Sequence, residues 1–415
     1  MTRILKAAKR NTCISAIILI LLLISLSGCG GIELIKADMQ MAGEQYAPAI
    51  QIYREYLTKN SDSIEARNKL GFAYLKTGQL DDSIEEFETV LRLEPGNCYA
   101  ILYLGMAYLN KGDPGKAITT LQAYRNTEKP LVEAEIKRLL TVVQIAESQR
   151  LAREALAQEA KLKAKKPDSN TVSVCYYEDL SPENSLRAFQ KGLAAMLITD
   201  MSKIKSLRVV ERLRIQSLFQ EMRLGQTGII DESTAPRVGH LLGAEHLVTG
   251  NLAVGSIRTT TSLVSASMGK VTGSSTVDVE KEKFYELPRL IIENFASIKG
   301  IELSPEEKKA IGIPHTKNYE AFNYYGEGLN ALDEGKWQDA KDLFEKALKL
   351  DPQFDLAMEG FDSTPSPSSP TTAAIANMSV PEISELVETS INTAETEQEQ
   401  TDEEAEASMG GSGGY

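Results

Sequence analysis

"IEARNKLGFAYLKTGQLDDSIEEFETVLRLEPGN", residues 64–97, decides how the N-terminal part of the chain folds. The stretch that follows from Cys98, "CYAILYLGMAYLNKGDPGKAITTLQAYR", repeats its pattern. Leu70-Gly71 falls on Leu104-Gly105, Ala73-Tyr74 on Ala107-Tyr108, Gly78 on Gly112 and Ile84 on Ile118, each 34 residues on. Going backwards, Ala49-Ile50 and Tyr53 fall on Ser83-Ile84 and Phe87. The small Gly71 and Gly105 predict a close approach between the two helices of a unit, and Pro95 ends the second helix. Such a unit cannot bury its apolar face alone, so several must stack.

The spacing and these residues resemble the tetratricopeptide repeat. Three copies are expected over 29–130, the first degenerate in its opening helix. A fourth, "AFNYYGEGLNALDEGKWQDAKDLFEKALKLDPQF" (321–354), lies downstream in a segment bounded at 319–354, with Gly328, Gly335, Ala340, Phe344, Ala347 and Pro352 at the matching positions. Being single, it must pack on another part of the chain. The resemblance implies a concave groove built from the first helices and lined by Phe72, Leu75, Tyr99, Leu102, Met106 and Leu109. An apolar groove of that kind suits an extended or helical peptide of a partner protein.

Residues 131–167 lack Gly, are rich in Ala, Leu, Glu and Lys, and read as a helix. Leu131, Val132, Ile136, Leu139, Leu140, Val143 and Ala146 form an apolar stripe that would cap the repeats. The lysine-rich second half reads as a solvated linker.

From 168 to 304 the pattern changes to strands and helices. Strands are expected at 171–177 and 207–212, and helices at 183–204, before Gly225, before Gly243 and before Gly300. A β-meander from 245 turns at Gly269-Lys270. Strands alternating with helices and then running in hairpins imply a mixed α/β sandwich. Val210-Glu211-Arg212, Gly225, Thr227-Gly228, Thr234-Ala235, Gly239 and Leu242-Gly243-Ala244 resemble the CsgG-type family of periplasmic lipoproteins, akin also to the N-terminal domain of TolB. That family's best-known member builds an export pore with two long hairpins per subunit. Only 257–281 could serve here, and its outward face is weakly apolar, so the core without the barrel is expected. Glu211 and Arg212 read as a structural pair rather than as catalysts.

The chain begins with Arg3, Lys6, Lys9 and Arg10, followed by an apolar run from Cys13 to Leu26. A spanning helix needs about 18 or more apolar residues, and this run is shorter and broken by Ser15 and Ser25. A basic flank before a short apolar run is a signal-peptide pattern, assigned to 1–28. Leu26-Ser27-Gly28-Cys29 resembles the lipobox of bacterial lipoproteins, which makes Cys29 the lipidated first residue of the mature chain. Gly30 in place of Asp favours the outer membrane. The remaining cysteines, Cys98 and Cys175, are read as buried thiols in different domains, with pairing as the alternative.

The net charge of −13 is concentrated. Residues 355–415 hold thirteen acids and no Lys or Arg, and read as a disordered acidic tail. With that tail and the four leader cations set aside, about −4 remains, so no basic face invites nucleic acid. Neither metal-ligand spacing nor a phosphate loop is present, so no cofactor, metal or catalytic residue is expected. His240 and His246 are weak candidates for a base.

The fold class expected is α plus α/β: helical repeats, a sandwich of CsgG/TolB type, one further repeat and the tail. The function expected is a periplasmic protein-binding scaffold on the outer membrane, in assembly or export of curli-type surface structures. Its partners would be envelope or secreted proteins and the membrane, with a homo-oligomer left open. The alternative is a subunit of an oligomeric secretion channel.

Overall fold

The computed structural model describes residues 32–124, 129–223, 234–253 and 256–365, with single positions at 367, 369 and 375. Cys29 and the expected leader, Gly225, Thr227 and Gly228, and most of the expected acidic tail lie outside the described residues. Internal packing divides the chain between Ile136 and Lys137 into two units.

The first unit is all helical. A helix over 32–42 (α1) is followed by α2 (Tyr46–Lys59), α3 (Ile64–Lys76), α4 (Leu80–Leu93), α5 (Cys98–Asn110) and α6 (Pro114–Gln122). The helix α7 (Pro130–Ala157) starts here and continues past the division. The caps keep the repeat. Ser63 and Asn97 each accept a hydrogen bond from the third residue on, the N–H of Ala66 and of Ala100, and so start α3 and α5. Gly78 and Gly112, at φ 72° and 81°, make the left-handed turn between paired helices. A Cβ on Gly71 would stand 2.9 Å from the Phe87 ring, and one on Gly105 2.8 Å from Leu121. The close approach read from the sequence is therefore present. Ser83 reinforces it by donating from Oγ to the Gly71 carbonyl at 2.8 Å. In the degenerate first copy, polar links help. Buried Tyr53 donates to Asp38 at 2.6 Å, and Lys69 Nζ lies 2.8 Å from the same carboxylate.

The second unit is built on one sheet. Along the chain come α8 (Glu159–Ala164), β1 (Asp168–Val174), β2 (Glu178–Asp179), α9 (Arg187–Met201), β3 (Arg208–Val209), α10 (Arg212–Glu221) and α11 (Ala235–Leu242). Then follow β4 (Ala244–Ala253), β5 (Ile257–Ser265), β6 (Lys270–Val279), α12 (Leu287–Lys299) and α13 (Pro305–Ile311). The sheet order is β3-β1-β4-β5-β6, with β2 beside the far end of β4. β1 is parallel to β3 and β4, while β4, β5 and β6 run antiparallel. Val172, Val174, Leu247 and Val248 from the strands are fully buried, as are Ala194 and Leu197 of α9 and Ile292 of α12. β3 is shorter than expected, because Glu211 already serves as the N-cap of α10. The chain still holds its edge, since Val210 donates its N–H to the Val172 carbonyl. Gly243 and Gly300, at φ 68° and 67°, end α11 and α12 where the sequence placed the stops.

The lone fourth hairpin, α14 (Tyr319–Asp333) and α15 (Trp337–Leu350), belongs to this unit. Its partner is α9. Phe322 meets Phe189 edge-on at 4.8 Å and Phe284 at 5.1 Å, and a Cβ on Gly192 would stand 2.7 Å from the Phe322 ring. Residues Asp355–Ser363 form a further helix, α16, where the sequence suggested the start of the disordered tail. It exists because a glycine, Gly360, lets it close on Phe344, with a virtual Cβ 2.9 Å from the ring. Leu356 and Ala357 are buried beside it.

Candidate functional site

The expected groove lies in the first unit, on α3 and α5. Asn68, Phe72 and Lys76 follow one another at i, i+4 and i+8 and so share one face of α3. On α5, Tyr99 and Tyr103 are stacked at 6.3 Å, and Tyr103 meets Phe72 of α3 at 4.9 Å. The rings of Phe72, Tyr103 and Tyr99 thus make a continuous strip across two repeats. Cations lie at both ends: Lys76 Nζ is 5.3 Å from the Phe72 centroid and Lys129 Nζ is 4.5 Å from that of Tyr99.

Of the six residues expected to line the groove, Phe72 and Tyr99 keep partial exposure. Leu75, Leu102, Met106 and Leu109 are buried, at 7%, 2%, 3% and 1% exposure, and are not open to a partner. The reason lies in α5 itself. Its sequence, CYAILYLGMAYLN, has no charged residue, and a helix apolar on all sides is covered on all sides. Two residues of the strip were missed. Tyr103 is the hub ring, and it also lies 5.8 Å from Phe87. Asn68 donates from Nδ2 to Asn97 Oδ1 at 3.2 Å, while its own buried Oδ1 has no partner. Their spacing from Phe72 and Tyr99 carried the signal.

In the second unit Arg212 belongs to a buried ion-pair cluster. Arg212 does not pair with its neighbour Glu211. It reaches Asp333 at 2.7 Å, and Lys191 reaches the other carboxylate oxygen at 2.5 Å. All three side chains are nearly removed from water. Burial alone would raise the Asp333 pKa, but the facing Arg212 and Lys191 outweigh it and hold the carboxyl below its ordinary range. His246 Nε2 lies 3.0 Å from the Ser169 carbonyl, and burial pushes its pKa down. Cys98 and Cys175 are both buried and neither forms a disulfide; burial pushes the Cys175 thiol up to about 12. Among the described residues, no group of three or more His, Cys, Asp or Glu is placed to hold a metal ion. No helix among them is long and apolar enough to cross a membrane.

The comparisons agree with this architecture. Residues 68–130 and 321–354 each match a tetratricopeptide repeat family, and residues 127–277 match the family described as curli production assembly/transport component CsgG. A peroxisomal targeting signal receptor of Yarrowia lipolytica is 29% identical over 98 residues, 24% of this chain and 16% of the receptor. A tetratricopeptide repeat and J domain-containing co-chaperone of Cryptococcus neoformans is 30% identical over 116 residues, 28% of this chain and 22% of the relative. The chain thus spans less than a quarter of the length of these two relatives. Among solved structures, YrrB, a repeat protein described as having an unusual peptide-binding site, is 20% identical with a TM-score of 0.25. That likeness covers 31% of this chain and 64% of YrrB. This chain combines tetratricopeptide repeats with a CsgG-type domain.

Proposed function

We propose that this protein is a lipid-anchored scaffold on the periplasmic face of the outer membrane. Its N-terminal repeats hold a segment of an envelope or secreted protein during assembly or export of curli-type surface structures. The observation that carries the reading is the pair of part-exposed rings, Phe72 and Tyr99, joined through the buried Tyr103 and with lysines over the two ends. Aromatic rings with polar edges are favoured anchors in protein interfaces. The CsgG match supports the proposed link to surface structures, and the lipobox-like Leu26-Ser27-Gly28-Cys29 supports the proposed anchor. The channel alternative would need β5 and β6 to face lipid. The exposed face of β6 is Lys270, Thr272, Ser274, Thr276 and Asp278, which is polar and favours the scaffold.

The test is photocrosslinking in intact cells from a reactive residue at position 99, with the exposed Leu350 position as control. The scaffold reading expects a discrete envelope-protein adduct from 99, lost on Phe72→Glu and absent from 350. Identical adducts from both positions, or none, would overturn it.

A further inference from the structure

The second unit contains a cavity of about 470 Å³, of a size that holds small molecules. It opens where the parallel strands begin, beside Asp168 of β1, Arg208 of β3 and Gly243 before β4. Leu151 and Ala155 of α7 and Leu162 of α8 give it one apolar wall. The lining also carries Arg214, from the first turn of α10, and His240, from the last turn of α11.

The walls are held in place independently of any ligand. Arg237 of α11 forks onto both oxygens of Glu159 in α8, each at 2.9 Å, and Arg153 of α7 reaches Glu221 of α10 at 2.9 Å. What is left over inside is positive. The two acids on the lining are already engaged, Glu154 with Arg150 and Asp168 with Arg208 at 3.3 Å. Lys165 and Lys166 stand at the mouth with exposed side chains. The half-buried Arg214 guanidinium makes no hydrogen bond or ion pair among the described residues. Burial pulls its pKa down, against the charge of Glu211 and with that of Arg208. His240 Nδ1 is fully buried and also has no partner. A buried donor or cation without a partner is costly. A half-buried guanidinium without a counter-ion and an imidazole with one unpartnered nitrogen, both on the lining of one space with an apolar wall, describe a site for a molecule that is anionic at one end and apolar at the other.

We propose that this cavity binds a small amphiphilic oxyanion, with a phosphate or carboxylate head on Arg214 and His240 and an apolar body against Leu151 and Leu162. The site belongs to the second unit and the aromatic strip to the first, and it would give the protein a small-molecule input beside the proposed protein-binding role.

Calorimetric titration of the mature protein with octyl phosphate, octanoate, inorganic phosphate and octanol tests this. Saturable one-to-one binding of octyl phosphate or octanoate is expected, at least about tenfold tighter than inorganic phosphate or octanol; whichever alkyl anion wins identifies the head group. Arg214→Gln should weaken it by at least about tenfold, and Ala155→Trp, which fills the cavity with its charges intact, should abolish it. Lys309→Gln, an exposed cation elsewhere, should leave it unchanged. If either cavity variant loses its fold by circular dichroism, the exposed pair Lys165→Gln/Lys166→Gln takes its place, with at least threefold weakening expected. Absence of saturable binding by both alkyl anions would overturn the proposal. So would binding that inorganic phosphate equals, or that the folded cavity variants leave intact.

Discussion

Gly326 of α14 lies so close to Ala188 of α9 that a Cβ on the glycine would stand 1.9 Å from the Ala188 carbonyl oxygen. That obstacle is backbone, so no side-chain rotation relieves it. Gly326→Ala should push the fourth hairpin away from α9 and destabilise the second unit by about 1–3 kcal/mol, the usual range for overpacking. A urea melt of wild type and variant checks it, and equal midpoints would show that the two helices do not touch this closely.

Asp333 supports the same junction electrostatically. Asp333→Ala would leave Lys191 and Arg212 buried without their counter-charge. Breaking a buried pair in this way costs about 3–5 kcal/mol. The expected result is a variant that unfolds far earlier in urea, while Glu345→Ala, on an exposed pair of α15, shifts the midpoint little.

His315 links α9 to α16, with Nε2 3.0 Å from Asp200 and Nδ1 3.2 Å from Asp355. Burial draws its pKa down, but hydrogen bonds to the two carboxylates and their charges outweigh it and push the pKa from 6.5 up to about 9. The folded state therefore holds the proton more tightly. Its contribution is complete below pH 6.5 and disappears as the pH climbs through about 9. Stability should fall by roughly 3 kcal/mol over that window. In His315→Gln this fall should vanish, which denaturation at stepped pH would reveal. Wild type and variant keeping parallel profiles would contradict the assignment.

The anchor proposal makes its own prediction. Mass spectrometry of the N-terminal peptide should find Cys29 acylated at the start of the mature chain, and Cys29→Ala should shift the protein from the membrane to the soluble fraction. An unmodified Cys29 thiol in membrane-extracted protein would remove the anchor from the account.

Much of the fold was legible because local chemistry repeats with the fold. Ser63 and Asn97 cap the first helices of successive repeats, 34 residues apart, and Gly71 and Gly105 stand where the helices close. The stops at Gly243 and Gly300 were legible for the same reason, since left-handed caps favour glycine. What was not legible depends on contacts distant in sequence. Asp333 reads as an ordinary acid at the end of an amphipathic helix, and only Lys191 and Arg212, both more than a hundred residues away, make it a buried junction. The helix α16 was missed because its nine residues carry only a short apolar pattern, Leu356, Ala357 and Gly360, just before the Pro/Ser-rich stretch. In the groove, Phe72 and Tyr99 could be named from repeat position. The burial of Leu102, Met106 and Leu109 follows from the uncharged sequence of α5, which the repeat position alone does not convey.

The fourth hairpin is part of the α/β core, packed on α9, and the docking role proposed above is assigned to the N-terminal repeats alone. Native-state hydrogen exchange tests this most directly, because helices that share a core open together. Amides in the middle of α14, around Gly328 and Leu329, should show the same free energy of opening as those of Leu193 to Leu197 in α9. Exchange of α14 and α15 through a separate, low-energy opening while α9 stays protected would contradict the account.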